Sequence, residues 1–199
     1  TRATSWTTAA DVAVKSHEDS APFLSHPGGV VAGPAGDGTA DERYQDLGLL
    51  GTGGMGEVRV VHDGQLGRQV ARKSPRSDVP GAVEALSREA SLTAALEHPG
   101  IVPIYDAGVG SDGRPWYTMR LVRGRSLRSV LAETPTLRAR LALLRPVLAA
   151  VEAVAYAHAR GVVHCDLKAL NILLGEHGEV QVVDWGLATS GPGSPTGGT

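Results

Sequence analysis

The 199-residue sequence is poor in aromatic residues, with a single phenylalanine, and it has one cysteine, Cys165. A lone cysteine cannot form an internal disulfide, which excludes the small disulfide-stapled scaffolds of secreted proteins. The sequence therefore favours a reducing, cytoplasmic setting. That setting fits a cytoplasmic protein or the cytoplasmic part of a longer membrane-anchored one.

The sequence also lacks an uninterrupted run of about 18 apolar residues, and its amino-terminal part has no basic-then-apolar signal pattern. We therefore expect no membrane contact from this segment. The formal net charge is −2, whereas nucleic-acid-binding domains carry a clustered excess of Lys and Arg. We accordingly expect no nucleic-acid partner.

Lysine and asparagine are scarce as well. Lysine occurs only at Lys15, Lys73 and Lys168, so the other basic residues are arginines, and Asn171 is the single asparagine. Because this sequence uses Arg wherever a general positive charge suffices, each retained Lys is informative. Two of the lysines and the asparagine fall within the motifs described below.

The first half of the sequence predicts a flexible leader followed by strands. Residues 1–40 are rich in Thr, Ala, Ser, Gly and Pro without sustained periodicity. Short apolar runs with turn residues between them then predict strands over 44–50, 57–61, 68–73, 101–105 and 116–122. Helical spacing predicts one helix, over 81–97, from Val83, Leu86, Ala90 and Thr93.

The second half is led by helices. Ser126 is a suitable N-cap for a short helix over 127–132. The longest helical signal covers 136–160, and its apolar stripe, which we expect to face the core, consists of Leu141, Leu144, Leu148, Val151, Ala155 and His158. Pro146 predicts a kink or two shorter helices there. Short strands are predicted over 162–163, 172–174 and 180–183, which makes the fold class α+β.

A glycine-rich run, Gly51-Thr52-Gly53-Gly54-Met55-Gly56, lies between the first two predicted strands. Glycines there allow backbone N–H groups to approach phosphate oxygens closely. A plain hairpin turn is the competing interpretation. A dinucleotide-binding crevice is disfavoured, because that fold needs a helix directly after the glycines and the sequence instead continues as a strand from Val58.

Lys73 ends the third predicted strand, where a compact ammonium suits phosphate oxygens. Its alternative role is a solvated lysine at a sheet edge. Glu89, on the predicted helix, is a possible partner for Lys73, although it could equally pair on the surface with Arg88.

The most informative stretch is His164-Cys165-Asp166-Leu167-Lys168-Ala169-Leu170-Asn171, followed by Asp184-Trp185-Gly186. Asp166 can accept a hydroxyl proton, Asn171 and Asp184 can hold magnesium, and Lys168 can steady a transferring phosphoryl group. Loop acids are usually solvated turn residues, but four suited residues at these offsets indicate a phosphoryl-transfer site.

Together these motifs resemble the protein kinase family, in particular bacterial Ser/Thr kinases of the eukaryotic type. The resemblance covers residues 43–199. It implies a bilobal fold, with a complete N-lobe of five strands and one helix at 41–122. A partial, mainly helical C-lobe would follow at 123–199, containing the catalytic loop and the start of the activation segment.

The resemblance further implies ATP-dependent phosphorylation of Ser/Thr residues in protein substrates, with ATP and Mg²⁺ as cofactors. Asp166 would be the catalytic base, assisted by Lys168; Lys73 would contact the α/β-phosphates and pair with Glu89; Asn171 and Asp184 would bind Mg²⁺. The implied nucleotide contacts are Leu50, Gly51, Thr52, Gly53, Gly54, Met55, Gly56, Val58, Ala71, Lys73, Met119, Leu121, Val122 and Leu173.

The sequence departs from the family pattern at three positions near the site. Cys165 replaces an Arg that binds a phosphate on the activation segment, Trp185 replaces a Phe, and Ala169 replaces a loop Pro. None of these changes removes a catalytic group. An active kinase is therefore favoured, and the alternative is a pseudokinase, an ATP-binding regulatory module or an inactive kinase fragment.

The sequence ends within what resembles the activation segment. We expect a polypeptide that stops at Thr199 to bind nucleotide weakly and to phosphorylate proteins poorly. Autophosphorylation is predicted at Ser190, Ser194, Thr196 or Thr199.

Overall fold

The computed structural model describes residues 43–54 and 56–191. The predicted leader, Met55 and the hydroxyl residues Ser194, Thr196 and Thr199 lie outside the described residues. The first half forms one antiparallel five-stranded sheet in the order β1-β2-β3-β5-β4. Its strands are β1 (Tyr44–Thr52), β2 (Gly56–Asp63), β3 (Arg68–Pro75), β4 (Ile104–Val109) and β5 (Pro115–Arg120).

All five predicted strands of the first half are present, and the fourth is shifted. Its predicted span, 101–105, overlaps β4 only at its end, because the backbone at Ile101 pairs instead with Val182 in a separate parallel bridge. Buried Val58, Val61, Val70 and Ala71 lie on the central strands. Short apolar runs between turn residues therefore located the strands of this sheet.

The predicted first-half helix is observed as α1 (Ala82–Ala94). Gly81 precedes it with φ 76°, a left-handed conformation that glycine adopts without strain. The buried side of α1 includes Leu86, Glu89 and Leu92. The helix thus presents one carboxylate, that of Glu89, among its apolar contacts with the sheet.

The second half begins with β6 (Gly124–Ser126), α2 (Leu127–Ala132), α3 (Leu137–Ala142) and α4 (Leu144–Ala159). It continues with β7 (Val162–Val163), a 3₁₀ turn (Ala169–Asn171), β8 (Ile172–Gly175), β9 (Val180–Val182) and β10 (Thr189–Ser190). Ser126 caps α2 as predicted, since its hydroxyl accepts from the Ser129 N–H at 3.1 Å. The predicted long helix is divided at Leu143, which confirms two segments; Pro146 lies in the first turn of α4, where proline is tolerated.

The predicted core-facing side of α4 was wrong. His158 is exposed, and so are Leu144, Leu148 and Val151. The buried positions are instead Ala150, Ala153 and Ala157. The small side chains allow close approach: a Cβ built on Gly100 would lie 2.9 Å from that of Ala153. Contact with the rest of the described chain is therefore made through the alanine side of the helix.

One helical stretch has the length of a membrane span, although charged residues interrupt its apolar run. By length and composition, Leu137–Ala159 could cross a membrane, with a mean hydropathy of 1.4. That stretch is broken at Leu143, contains Arg145 and Glu152, and packs its alanine side in the core. We assign it to the folded domain.

The two halves are joined by the segment before β4. The Val102 N–H donates to the Val182 carbonyl at 3.4 Å, and the Val182 N–H donates to the Gly100 carbonyl at 2.8 Å. Leu92 and Ile101 from the first half share a buried cluster with Ala153 and Trp185 from the second. These contacts hold β9, and the Asp184 loop that follows it, against the first half.

At the end of β2, the buried carboxylate of Asp63 is the centre of an ion-pair cluster. Its carboxylate accepts from Arg43 Nε at 2.9 Å and Nη2 at 3.0 Å. Arg43 also donates to Asp106 at 3.0 Å, and Asp106 accepts from the Tyr44 hydroxyl at 2.9 Å. The hydrogen bond from Arg43 holds the pKa of Asp63 below its usual value of 3.8.

Asp63→Asn should lower the free energy of unfolding at pH 7 by about 2 kcal/mol, because it removes the buried charge that pairs with Arg43 at the end of β2. Because folding lowers the pKa of Asp63, its contribution is complete above pH 3.8 and is lost as the pH falls through the lower folded-state value. Urea unfolding followed by tryptophan fluorescence should therefore show the difference between the two proteins shrinking at pH 3.

Asp78→Asn is the matched control. Asp78 is exposed and pairs with Arg76, two residues away, so its loss should leave the free energy of unfolding unchanged. Equal destabilisation by both substitutions would contradict the role given to Asp63.

Candidate active site

A cleft of about 360 Å³ lies between the sheet, α1 and the loops of the second half. Ligand pockets in proteins have volumes of this order. Its walls include most of the residues predicted to bind a nucleotide: Leu50, Gly53, Gly54, Gly56, Val58, Ala71, Lys73, Met119, Val122 and Leu173. The predicted residues Glu89, Asp166, Lys168, Asn171 and Asp184 line the same cleft.

Three other predicted contacts, together with Met55, remain predictions. Gly51, Thr52 and Leu121 are absent from the walls that the described residues form, and Met55 lies outside the described residues. Gly51 and Thr52 are paired within the β1–β2 ladder, opposite Val58 and Glu57. The residues on either side of Leu121, Arg120 and Val122, line the cleft.

The glycine-rich hairpin forms the roof of the cleft. The Gly53 N–H donates to the Gly56 carbonyl at 2.7 Å, which closes the turn. A Cβ on Gly56 would lie 2.9 Å from the backbone oxygen of Ser74, whereas one on Gly54 would meet nothing within 4 Å. Gly56 is therefore required by the neighbouring strand, while Gly54 leaves open space for a ligand.

Below the hairpin, the ammonium group of Lys73 contacts three carboxylate oxygens. Its Nζ lies 2.6 Å and 2.8 Å from the two carboxylate oxygens of Glu89. It also lies 3.2 Å from Oδ1 of Asp184. Of the two interpretations of Glu89, the structure thus favours the partner of Lys73 over a surface charge, and only 5% of its surface is exposed.

Electrostatics keep this lysine charged. Burial alone would lower the pKa of Lys73, but the negative charges of the neighbouring Glu89 and Asp184 outweigh that effect and raise it. Folding therefore stabilises the protonated amine up to and beyond its ordinary pKa. Lys73 is a permanent cation at the base of the cleft at physiological pH.

The Asp166 carboxylate is held by its own loop. Lys168 Nζ donates to Oδ2 of Asp166 at 2.8 Å, and Asn171 Nδ2 donates to the Asp166 backbone carbonyl at 2.9 Å and to Oδ2 at 3.3 Å. The preceding residue, Cys165, has φ 61°, a conformation disfavoured for a side chain with a Cβ. Such strain is found where a loop is constrained by its surroundings.

His164 and Trp185 connect the Asp166 and Asp184 loops. His164 Nδ1 accepts from the Asp166 N–H at 3.3 Å, and its Nε2 lies 3.1 Å from the Val183 carbonyl. The ring centres of His164 and Trp185 are 4.5 Å apart, and the indole N–H donates to the Val182 carbonyl at 3.3 Å. His164 is a buried packing residue between the two loops, and Trp185 fills the aromatic position with an added hydrogen bond.

Asp184 has the second positive φ among the described non-glycine residues, 65°. Its side chain is 48% exposed, toward the cleft it lines. Asn171 gives its amide nitrogen to Asp166, so the amide oxygen is the atom suited to a cation. One carboxylate and one amide oxygen suit Mg²⁺, which keeps several water or phosphate ligands.

Position 165 carries no charge where the family pattern has an arginine. Cys165 is exposed, and its Sγ lies 3.5 Å from Oγ1 of Thr189. Thr189 and Ser190 pair with β7 in an antiparallel ladder. Backbone pairing with β7 and the contact with Cys165 Sγ thus hold Thr189 in place. The predicted phosphorylation site Ser190 is exposed there.

Sequence reasoning missed Tyr117, whose hydroxyl donates to Oε1 of Glu89 at 2.9 Å. A signal was available: Tyr117 is two residues before Met119 on one strand, so both side chains lie on the same face of the sheet. Val102, Leu86 and Thr93 also line the cleft and were not predicted as site residues. Apolar cleft residues carry no distinctive motif.

A five-stranded sheet with one helix, placed over a helical unit that carries these loop acids, defines a protein kinase fold. Residues 44–196 match the protein kinase domain family. The chain therefore belongs to the protein kinase domain family.

Similar proteins carry the same class of name. The chain is 40% identical over 159 residues to serine/threonine-protein kinase PknD of Protochlamydia amoebophila, covering 73% of this chain and 16% of that protein. It is 42% identical over 164 residues to PknD of Chlamydia trachomatis serovar L2b, covering 74% and 17%. It is 38% identical over 152 residues to the probable serine/threonine-protein kinase SCO3848 of Streptomyces coelicolor, covering 73% and 22%. The matched region is thus a small part of each relative's length.

Gly56→Ala should lower the free energy of unfolding by about 1–3 kcal/mol, because the added methyl meets the Ser74 carbonyl and β2 must shift. Gly54→Ala is the matched control, since its methyl meets open space in the protein without ligand. Chemical denaturation of both variants measures the difference. If both variants are equally stable, the inference that β2 and β3 lie too close at Gly56 for a side chain is wrong.

Proposed function

We propose that this domain transfers the γ-phosphoryl group of ATP to Ser or Thr hydroxyls of protein substrates. The observation that carries the proposal is the position of Lys73. Its ammonium lies under the glycine hairpin, within 3.2 Å of both Glu89 and Asp184, in the cleft that Asp166 and Asn171 also line. Phosphoryl transfer depends on positioned charges of this kind.

The cleft offers distinct surroundings to the two ends of a nucleotide. Val58, Ala71 and Leu173 supply apolar surface suited to a purine ring, with Met119 and Val122 beside them. The glycine hairpin and Lys73 supply donors suited to phosphates. The nucleotide would therefore lie with its base toward the 119–122 segment and its phosphates toward the loops.

The residues of the catalytic loop would act on the acceptor. Asp166 would accept the proton of the substrate hydroxyl, and Lys168, which is 2.8 Å from that carboxylate, would steady the negative charge of the phosphoryl group. Asn171 and Asp184 would hold Mg²⁺, which supplies neutralisation of the phosphate charge when bound.

The pseudokinase, or ATP-binding module, is the second candidate, and the uncharged Cys165 beside Asp166 is the observation that favours it. That position lacks the cation that pairs with a phosphorylated segment in the family pattern. The retention of Lys73, Glu89, Asp166, Asn171 and Asp184 favours activity. Both candidates place the domain where ATP is available, in the cytoplasm.

Asp166→Asn should reduce phosphate transfer by at least about 100-fold while preserving nucleotide affinity, because the amide cannot accept the hydroxyl proton. The measurement is transfer of radiolabelled phosphate from Mg²⁺-ATP to a general Ser/Thr protein substrate by the complete natural protein. Calorimetry of Mg²⁺-ADP binding is made in parallel.

Asp112→Asn serves as control, since Asp112 is exposed on the β4–β5 turn and pairs with Arg114. It should leave transfer unchanged. Nucleotide binding by the natural protein without any transfer would contradict the kinase proposal and favour the ATP-binding module.

A further inference from the structure

We propose that Tyr117 is a positioning residue that holds Glu89 in place for Lys73, so that part of the phosphate-binding geometry depends on a tyrosine hydroxyl. This proposal rests on the proposed function for its kinetic consequence. Its structural consequence, the anchoring of α1 to the sheet, can be measured without activity.

The strand register places Tyr117 directly beside Lys73. The two residues are partners in the antiparallel β3–β5 ladder, so their side chains lie on the same face of the sheet. That face is the one covered by α1 and the cleft, which both residues line. Tyr117 is 3% exposed, and its aromatic ring is therefore fixed by packing.

The Tyr117 hydroxyl is a protonated donor. Burial raises its pKa well above the ordinary value for tyrosine, so it remains an O–H group at physiological pH. It donates to Oε1 of Glu89 at 2.9 Å, the same oxygen that Lys73 Nζ contacts at 2.6 Å. Glu89 thus receives hydrogen bonds from two neighbouring strands, β3 and β5.

The two donors differ in how constant their contact can be. Lys73 has a flexible side chain, and its ammonium is shared with Asp184. A phosphate ligand would draw on the same charge. Tyr117 has two rotatable side-chain torsions, and among the described residues its hydroxyl bonds to Glu89, so this hydrogen bond can keep Glu89 positioned while Lys73 serves a ligand.

Tyr117→Phe should reduce kcat/KM for ATP about tenfold, the loss expected for one hydrogen bond to a charged group. It should also accelerate hydrogen exchange of the α1 backbone amides by a similar factor, because one of the two links from Glu89 to the sheet is gone. Both measurements use the complete natural protein, and exchange is recorded without nucleotide.

A double-mutant cycle separates action through Glu89 from a general packing effect. In a Glu89→Ala background the hydroxyl has lost its acceptor, so adding Tyr117→Phe should change neither α1 exchange nor kcat/KM further. A packing defect would instead have the same effect in both backgrounds, and that result would overturn the proposal.

Tyr156→Phe is the matched control. The Tyr156 hydroxyl is buried and has no hydrogen-bond partner among the residues that the structure describes. Its removal should leave α1 exchange and kcat/KM unchanged. Equal effects of Tyr117→Phe and Tyr156→Phe would also overturn the role of Tyr117.

The two proposals fail in different ways. If the natural protein transfers no phosphate, the kinase proposal fails, and the exchange cycle still decides whether Tyr117 acts through Glu89. If transfer is robust but Tyr117→Phe alters neither kcat/KM nor α1 exchange, the positioning role fails and the kinase proposal stands.

Discussion

A buried ammonium is the constraint on which the rest of the site depends. Lys73 projects from the sheet into a cleft with apolar walls, where an unpaired charge would be strongly unfavourable. Two carboxylates from separate elements, Glu89 on α1 and Asp184 after β9, lie within 3.2 Å of it. Lys73 and Glu89 pair within the first half, and Asp184 brings a second carboxylate from the second half to the same ammonium. The packing of the two halves therefore completes the set of charges around Lys73.

The backbone is strained at two positions close to this site. The positive φ values of Cys165 and Asp184 occur on two loops that the His164–Trp185 pair connects through Val182 and Val183. Hydrogen bonds from buried rings to backbone carbonyls can offset local strain of about 1–3 kcal/mol. Packing in the core thus determines the positions of the two carboxylates at its surface.

The sequence predicted the sheet, α1 and the loop acids because each leaves a local pattern: short apolar runs between turn residues, helical spacing or a fixed offset between polar residues. It could not determine which side of α4 is buried. Helical spacing identified an apolar stripe through Leu144 and Leu148, but burial depends on shape as well as hydrophobicity, and the alanine side approaches Gly100 more closely.

Tyr117 marks the limit of reasoning from motifs. The same-face position of Tyr117 can be read from the sequence, but its place beside Lys73 appears in the pairing of β3 with β5, because the two residues are far apart in sequence and neighbours in the ladder. The presence of lysine at position 73, by contrast, has a local explanation. Lys73 Nζ contacts oxygens of two different carboxylates within 3.2 Å, which a compact ammonium can do from a narrow space. The planar fork of arginine favours two parallel bonds to one carboxylate. Geometry at this atom therefore explains why an arginine-rich sequence has lysine here.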